Sequence, residues 1–377
     1  MTRFLSVVLY GGCLCFFAQT LPAQTLNLPA RKTNALSGSQ FELTIASASL
    51  SLASRENMIY AQVVAGNVPD FFRTLVPVTS SAVINTVTQS ITYYVAPDML
   101  AIGCDSDYFL CPMSPMLDTR IGALTGCTLP TRKMVGDIWK AATVHLAPQP
   151  LSPIAAMTTV PYFAKHDTLV DTQRATFFPA HPLGELVSGD KKDVVISNMI
   201  YTTANRVVIY GWYYTSGTPI QPMTNVHADT YMDYSHGNRL VQNSCILNGS
   251  TATTIQAVLE SSSLNTILSD EGVMSKPWYP YVVTGEEEVD LPDQGFVVFP
   301  NPAHGSFTLA LNNLPDVGSF FRICDLQGRV IREERLNQGG QQQVNVEGMS
   351  AGMYLLSICG QVSSASIGKA KLIVVAP

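Results

Sequence analysis

The sequence predicts an α+β unit followed by a small all-β sandwich, and three observations carry that expectation. The first part of the chain mixes helix-like and strand-like stretches without a regular β-α alternation. An acidic segment broken by Pro and Gly, "VTGEEEVDLPDQG" at 283–295, then interrupts the apolar texture. Beyond it, short alternating strands separated by turn residues run to the C-terminus. At 377 residues the chain exceeds the usual single domain, so two domains are expected. With 46% apolar and 13% charged residues it can bury a sizeable core and is unlike a disordered chain. A net charge of -6 offers no electrostatic case for binding nucleic acid or anionic lipid.

Residues 1–23 read as a signal peptide: Arg3, an apolar run from Phe4 to about Ala18, then small and polar residues. Cleavage is expected after Ala23. Cys13 is not expected to be a lipidation site, because Tyr10 stands where an aliphatic residue is needed. No later stretch reaches the roughly 18 uninterrupted apolar residues of a transmembrane helix, so a soluble, exported mature chain is expected. Its six cysteines, Cys104, Cys111, Cys127, Cys245, Cys324 and Cys359, meet an oxidising compartment. Cys104 and Cys111 could close a small hairpin, or all six could be buried thiols; the spacing of structural zinc pairs is missing.

Within the α+β unit, 24–283, "LASRENMIYAQVVAGN" places Met58, Ile59, Gln62 and Val63 on neighbouring turns, with Gly66 as the stop. "SPMLDTRIGALTG" has Ser114 as N-cap, Pro115 at the first position and Gly126 at the end. "TRKMVGDIWKAAT" continues at helical spacing, and the two are expected to form a helical hairpin. "ITYYVAP", "DVVISNMI", "RVVIYGWYY" and "NRLVQNSC" read as strands. Residues 284–295 are the expected linker, and 296–377 the expected sandwich of about seven strands. On one of these strands Phe307, Leu309 and Leu311 share a face, and on another Tyr354, Leu356 and Ile358 do.

The last region resembles the C-terminal sorting domain of the Bacteroidetes type IX secretion system. The matching pieces are Pro300, Asn301 and Pro302 with Gly305, then Asp325 and Gly328 in "ICDLQGRVI", Gly352 and Tyr354 in "MSAGMYLLSI", and Lys371 on the closing strand. The resemblance implies an immunoglobulin-like sandwich read by the outer-membrane translocon and handled by its sortase-like processing enzyme. It also implies release to the medium or attachment to surface lipopolysaccharide, by way of the periplasm. Cys324 and Cys359 are not part of the family's pattern.

The densest polar run of the first unit is "VHADTYMDYSHGNRLV" at 226–241. His227, Asp233 and His236 are a ligand set that suits a divalent metal such as zinc, although H-x5-D-x2-H is no established motif. The same three residues are the candidate catalytic set of a hydrolase acting on an extracellular glycan or peptide. His236 is expected to dominate, oriented by the Asp233 carboxylate before a Gly237 that frees the backbone for a turn. "SHGNR" also resembles the S-H-G-C-x-R run of L,D-transpeptidases, but Asn238 stands where that family has its nucleophilic Cys. Ser235 and His236, being adjacent, are not expected to form a dyad. The competing readings are a loop held by its own Asp, Ser and His hydrogen bonds, and a non-catalytic surface protein that binds glycan or a protein partner. Elsewhere, His166, Asp167, Asp171 and Arg174 read as a solvated helix face, "GDKKDVV" as a charged turn, and the aromatic run Trp212–Tyr214 as core more than as a sugar platform.

Overall fold

The computed structural model describes residues 24–280, 296–311, 318–325, 329–337, 341–360 and 366–375. The expected signal peptide and acidic linker lie outside them. Contacts divide the chain into two compact units, Met1–Val283 and Thr284–Pro377.

The first unit is built on a long antiparallel hairpin, Thr74–Ile84 against Val87–Val95, in register from Val76↔Val95 to Ile84↔Val87. Its two-residue turn puts Asn85 at φ 48° and Thr86 at φ 68°. Both angles are left-handed, as a tight turn between right-twisted strands requires. Ser244–Leu247 and Val241–Gln242 extend this sheet beside Val87–Val95. A second sheet has the order Pro219–Thr224, Ile209–Tyr213, Lys192–Val194, His236–Gly237. "DVVISNMI" is thus a strand only at its start, and Asn198–Tyr201 turns into a 3-10 helix.

The helix Pro115–Thr125 begins and ends as its residues dictate. Ser114 Oγ accepts from Leu117 N at 3.3 Å, Pro115 fills a position needing no N–H, and Gly126 ends the helix at φ 73°. Arg132–Ala141 follows with Thr131 as N-cap. The two do not form the expected hairpin. The strand Cys127–Thr128 separates them, and they face different cores. Leu117 and Ile121 pack with Phe41, Ile59 and Phe163; Met134, Val135 and Ile138 pack with Ile91, Ile209 and Leu259. Each such side chain contributes about 1.5–3 kcal/mol by leaving water, and together they hold the two sheets and the helices as one body. All six cysteines are free thiols.

Among its described residues the second unit is all β, with seven strands in the order Val330–Arg335, Phe320–Cys324, Gly352–Cys359, Ser366–Val374, Phe296–His304, Ser306–Leu311, Gln341–Asn345. The first strand in sequence, Phe296–His304, joins two pairings. Its early residues pair antiparallel with Ser306–Leu311, and after a register shift Ala303 pairs in parallel with Val374. The shift falls at Pro300 to Pro302, where Asn301 Oδ1 accepts from Ile373 N at 2.8 Å. Phe307 and Leu309 are buried as expected, with Tyr354, Leu356 and Ile358 from the facing strand. Gly305 turns the chain at φ 71°, and Asp325 accepts from Arg329 N at 2.9 Å. Gly352 opens the strand on which Tyr354 donates to Ser350 O at 2.7 Å. Lys371 pairs with Leu355, and Gly328 lies outside the described residues.

Two glycines of the first unit separate backbone strain from crowding. At Gly189, φ is 96° and a Cβ would stand 2.1 Å from Leu146 O; at Gly272, φ is 78° in open space. Gly189→Ala should therefore cost more than about 3 kcal/mol and Gly272→Ala only about 1 kcal/mol, read as urea-midpoint shifts.

Candidate functional site

Two elements bring the predicted residues together. Strand His236–Gly237 lies parallel to Lys192–Val194, with His236 opposite Lys192 and Gly237 opposite Asp193. Gly237 is required by close approach and not by a turn: a Cβ there would stand 2.7 Å from Met99 Sδ and 2.9 Å from Lys191 Cβ.

His236 is fully buried, and its hydrogen bonding reverses the expected arrangement. The backbone N–H of Asp233 donates to His236 Nδ1 at 2.9 Å. A backbone N–H can only donate, so Nδ1 is the acceptor, although Asp233 Oδ1 lies 3.3 Å away. The basic lone pair of the ring is therefore occupied, and the sealed Nε2 has no partner among the described residues. The Asp233 carboxylate turns to its own loop. Oδ1 accepts from Ser235 N at 2.8 Å and Ser235 Oγ at 2.5 Å, and Oδ2 faces Tyr231 Oη at 3.4 Å and Lys192 Nζ at 3.5 Å. Burial alone would raise this carboxyl; the Lys192 ammonium and the Ser235 hydrogen bonds pull it down, and it stays below the usual range.

His227 is half-buried and stacks on Tyr231, with ring centres 4.1 Å apart, and Tyr231 meets His236 edge-on at 5.8 Å. Burial and the nearby His236 ring push the His227 pKa down. The Tyr231 ring thus touches both imidazoles where a shared metal would need open space. Among the described residues no group of three or more His, Cys, Asp or Glu is placed to hold a metal ion. The His227, Asp233 and His236 side chains meet as neighbours, then, but not as a ligand set for zinc.

A second cluster adjoins the first, and the sequence reading placed it wrongly in solvent. His166, Asp167 and Arg174 face inward from helix Val160–Ala175, and "GDKKD" buries Asp190, Lys191 and Asp193. Asp98 and Arg239 complete the group. Lys191 Nζ donates to Tyr234 O at 2.9 Å and to His166 Nδ1 at 3.2 Å. Arg239 donates to Ala96 O and Val187 O, and its Nε lies 3.7 Å from Asp193. Both oxygens of Asp190 are sealed with no hydrogen-bond partner among the described residues. Burial and the charge of Asp190 push Asp98 up to about 8. Burial also lifts Asp193 to about 7, against the pull of Arg239. Burial depresses His166 to about 2 and lowers Lys191. Such a network can shift protons internally, but with each of its residues at most 5% exposed it cannot touch a substrate without rearrangement. As for the aromatic run, Trp212 and Tyr213 are buried and Tyr214 is exposed.

Two measurements follow from these contacts. His236→Ala should lower the unfolding free energy by about 2–4 kcal/mol, since it opens a cavity and strands the Asp233 N–H; urea denaturation reads it. Asp98 holds a proton in the folded chain between its ordinary 3.8 and about 8 that the unfolded chain has lost. Stability conferred at this site therefore falls as pH rises through that window. Asp98→Asn should gain on the parent chain from pH 4 to pH 8; a constant difference would count against a buried protonated carboxyl.

Residues 297–374 match the family model described as the secretion system C-terminal sorting domain. No curated protein matches the chain. Among solved structures, a DUF3244 family protein with an immunoglobulin-like β-sandwich fold from Bacteroides vulgatus is similar at 25% identity and a TM-score of 0.17, over 20% of this chain and 82% of that one. The C-terminal unit is a type IX secretion sorting tail, which sends the protein across the outer membrane to the cell surface or the medium.

Proposed function

We propose that the first unit is the cargo of this tail and works outside the cell as a non-catalytic module that binds glycan or a surface partner. One observation carries the choice over a hydrolase: the Asp233 N–H occupies His236 Nδ1 in a site closed to solvent. A general base needs an accessible lone pair within reach of the proton it removes. Asp233, whose carboxylate braces Ser235, is likewise not presented as a ligand or nucleophile. Hydrolysis through His227, Asp233 and His236 would need this loop dismantled first.

We propose likewise that the second unit is an immunoglobulin-like sandwich with Pro300, Asn301, Pro302, Gly305, Asp325, Gly328, Gly352, Tyr354 and Lys371 as the residues the export machinery reads. The link from Asn301 to Ile373 supports it, because it ties the first motif to the closing strand. Removal by a sortase-like enzyme and attachment to lipopolysaccharide are the fates this reading implies.

Two experiments test the pair of statements. Deleting 296–377 should leave a folded first unit in the periplasm, seen by fractionation and circular dichroism; undiminished surface or medium levels would sink the sorting role. The purified chain should be retained on immobilised neutral polysaccharide and release no reducing ends from it. Measurable release would overturn the non-catalytic reading.

A further inference from the structure

A cleft of about 300 Å³ opens in the first unit between helix Pro115–Thr125, strand Cys127–Thr128 and the start of helix Ile255–Glu260. Its polar lining comes from Asp118, Thr119, Thr128, Asn243 and Gln256, and Trp278 lies at its edge as the most exposed of the three tryptophans, at 38%. Tyr201 Oη donates to the Trp278 carbonyl at 2.5 Å, which pins the segment carrying the indole.

Three features of this cleft point to a ligand. First, the exposed Trp278 indole shares the lining with the Thr128 hydroxyl and the Gln256 amide, whereas Asp118 is sealed: the Asn238 amide donates to its Oδ2, and its Oδ1 is shut off from solvent with no hydrogen-bond partner among the described residues. Secondly, Asn243 Oδ1 accepts from Gln256 N at 3.3 Å and Asn243 Nδ2 donates to Gln256 Oε1 at 3.5 Å. This leaves Gln256 Nε2 as a donor without a partner among the described residues. Thirdly, the lining has no formal positive charge: no lysine, arginine or histidine belongs to it. Burial raises Asp118 well above the carboxylate range and lifts the Cys127 thiol to about 11, so both groups favour their neutral forms.

We infer that this cleft binds one uncharged sugar ring of an extracellular glycan, with Trp278 as the stacking face and Gln256 and Thr128 as its hydrogen-bonding groups. A pyranose ring has one apolar C–H face and a rim of hydroxyls that both donate and accept. That matches an indole beside hydroxyl and amide groups. The volume lies at the lower bound for small-molecule sites and suits a single ring. An anionic sugar would find no cation to meet it. The inference rests on the binding reading above and gives it a place and a ligand class.

The test titrates the full chain with maltotriose, cellotriose and N,N′-diacetylchitobiose, with sialyllactose as the charged control. Tryptophan emission and calorimetry are the readouts. At least one neutral sugar should bind and shift the emission, with sialyllactose at least about tenfold weaker. Trp278→Ala should weaken binding by about tenfold or more and abolish the emission shift. Gln256→Ala should weaken it about three- to tenfold, and both variants should keep the parent circular dichroism spectrum. Neutral-sugar binding that both variants retain at full strength overturns this site and leaves the binding reading standing. A parent chain that binds none of the three neutral sugars overturns the site, and release of reducing ends from them overturns the non-catalytic reading as well.

Discussion

Lys191 places its ammonium between the Tyr234 carbonyl and the His166 ring with only 2% of the residue exposed, and the first unit is arranged around that burial. A buried lysine is tolerable only if its donors are met and opposite charge is near. Helix Val160–Ala175 supplies His166 and Asp167, the 188–193 stretch supplies Asp190, and the 226–241 loop supplies the Tyr234 carbonyl. Three segments distant in sequence are thereby held to one another by polar contacts as well as by their apolar faces. The carboxyls outnumber the cations, so burial and mutual repulsion leave protons on Asp98 and Asp193 near neutrality. Arg239 binds the Ala96 and Val187 carbonyls and so links this network to the strand carrying His236.

That dependence also explains the conformation of the His227–Arg239 loop. Gly237 must be glycine because Met99 and Lys191 leave no room for a Cβ. With Gly237 held there, His236 points inward and the Asp233 N–H meets its Nδ1. The dense polar sequence that suggests a reaction centre is here the inner lining of a buried ion network. Buried polar groups of this kind confine a chain to one arrangement only when each has a partner. The oxygens of Asp190 and His236 Nε2, without hydrogen-bond partners among the described residues, mark where that satisfaction is incomplete.

Parts of this were legible in the residues. Ser114, Pro115 and Gly126 mark one helix because caps act locally and need no tertiary partner. The seven tail strands were legible for a similar reason, since alternation along a strand records which face is covered. The hairpin at Asn85 and Thr86 went unread, because a positive-φ turn without glycine leaves little trace in sequence. The two helices taken as a hairpin show the limit of adjacency: each follows its own apolar face into a different core. The helix carrying His166 had a readable signal. Val160, Phe163, Asp167, Val170 and Arg174 fall on one stripe, and a stripe that alternates apolar and charged residues is an inward face with buried charges. Which carboxyl such a charge would meet depends on segments far away, and no local pattern records that.

The contrast between Asp190 and Asp118 bears on where function resides. Both are buried carboxyls with an oxygen that has no hydrogen-bond partner among the described residues. Asp190 is enclosed by Lys191, Asp98 and Asp193, so whatever satisfies it must already be inside the fold. Asp118 is sealed too, but it stands at a cleft with an exposed indole at its edge and an amide donor to spare. The density of titratable residues in the sequence pointed to the sealed cluster. Access selects the cleft instead, because a group can act on an external molecule only if that molecule can reach it. For a chain carrying an export tail, which meets its surroundings outside the cell, reachable neutral hydrogen-bonding groups are the more informative feature.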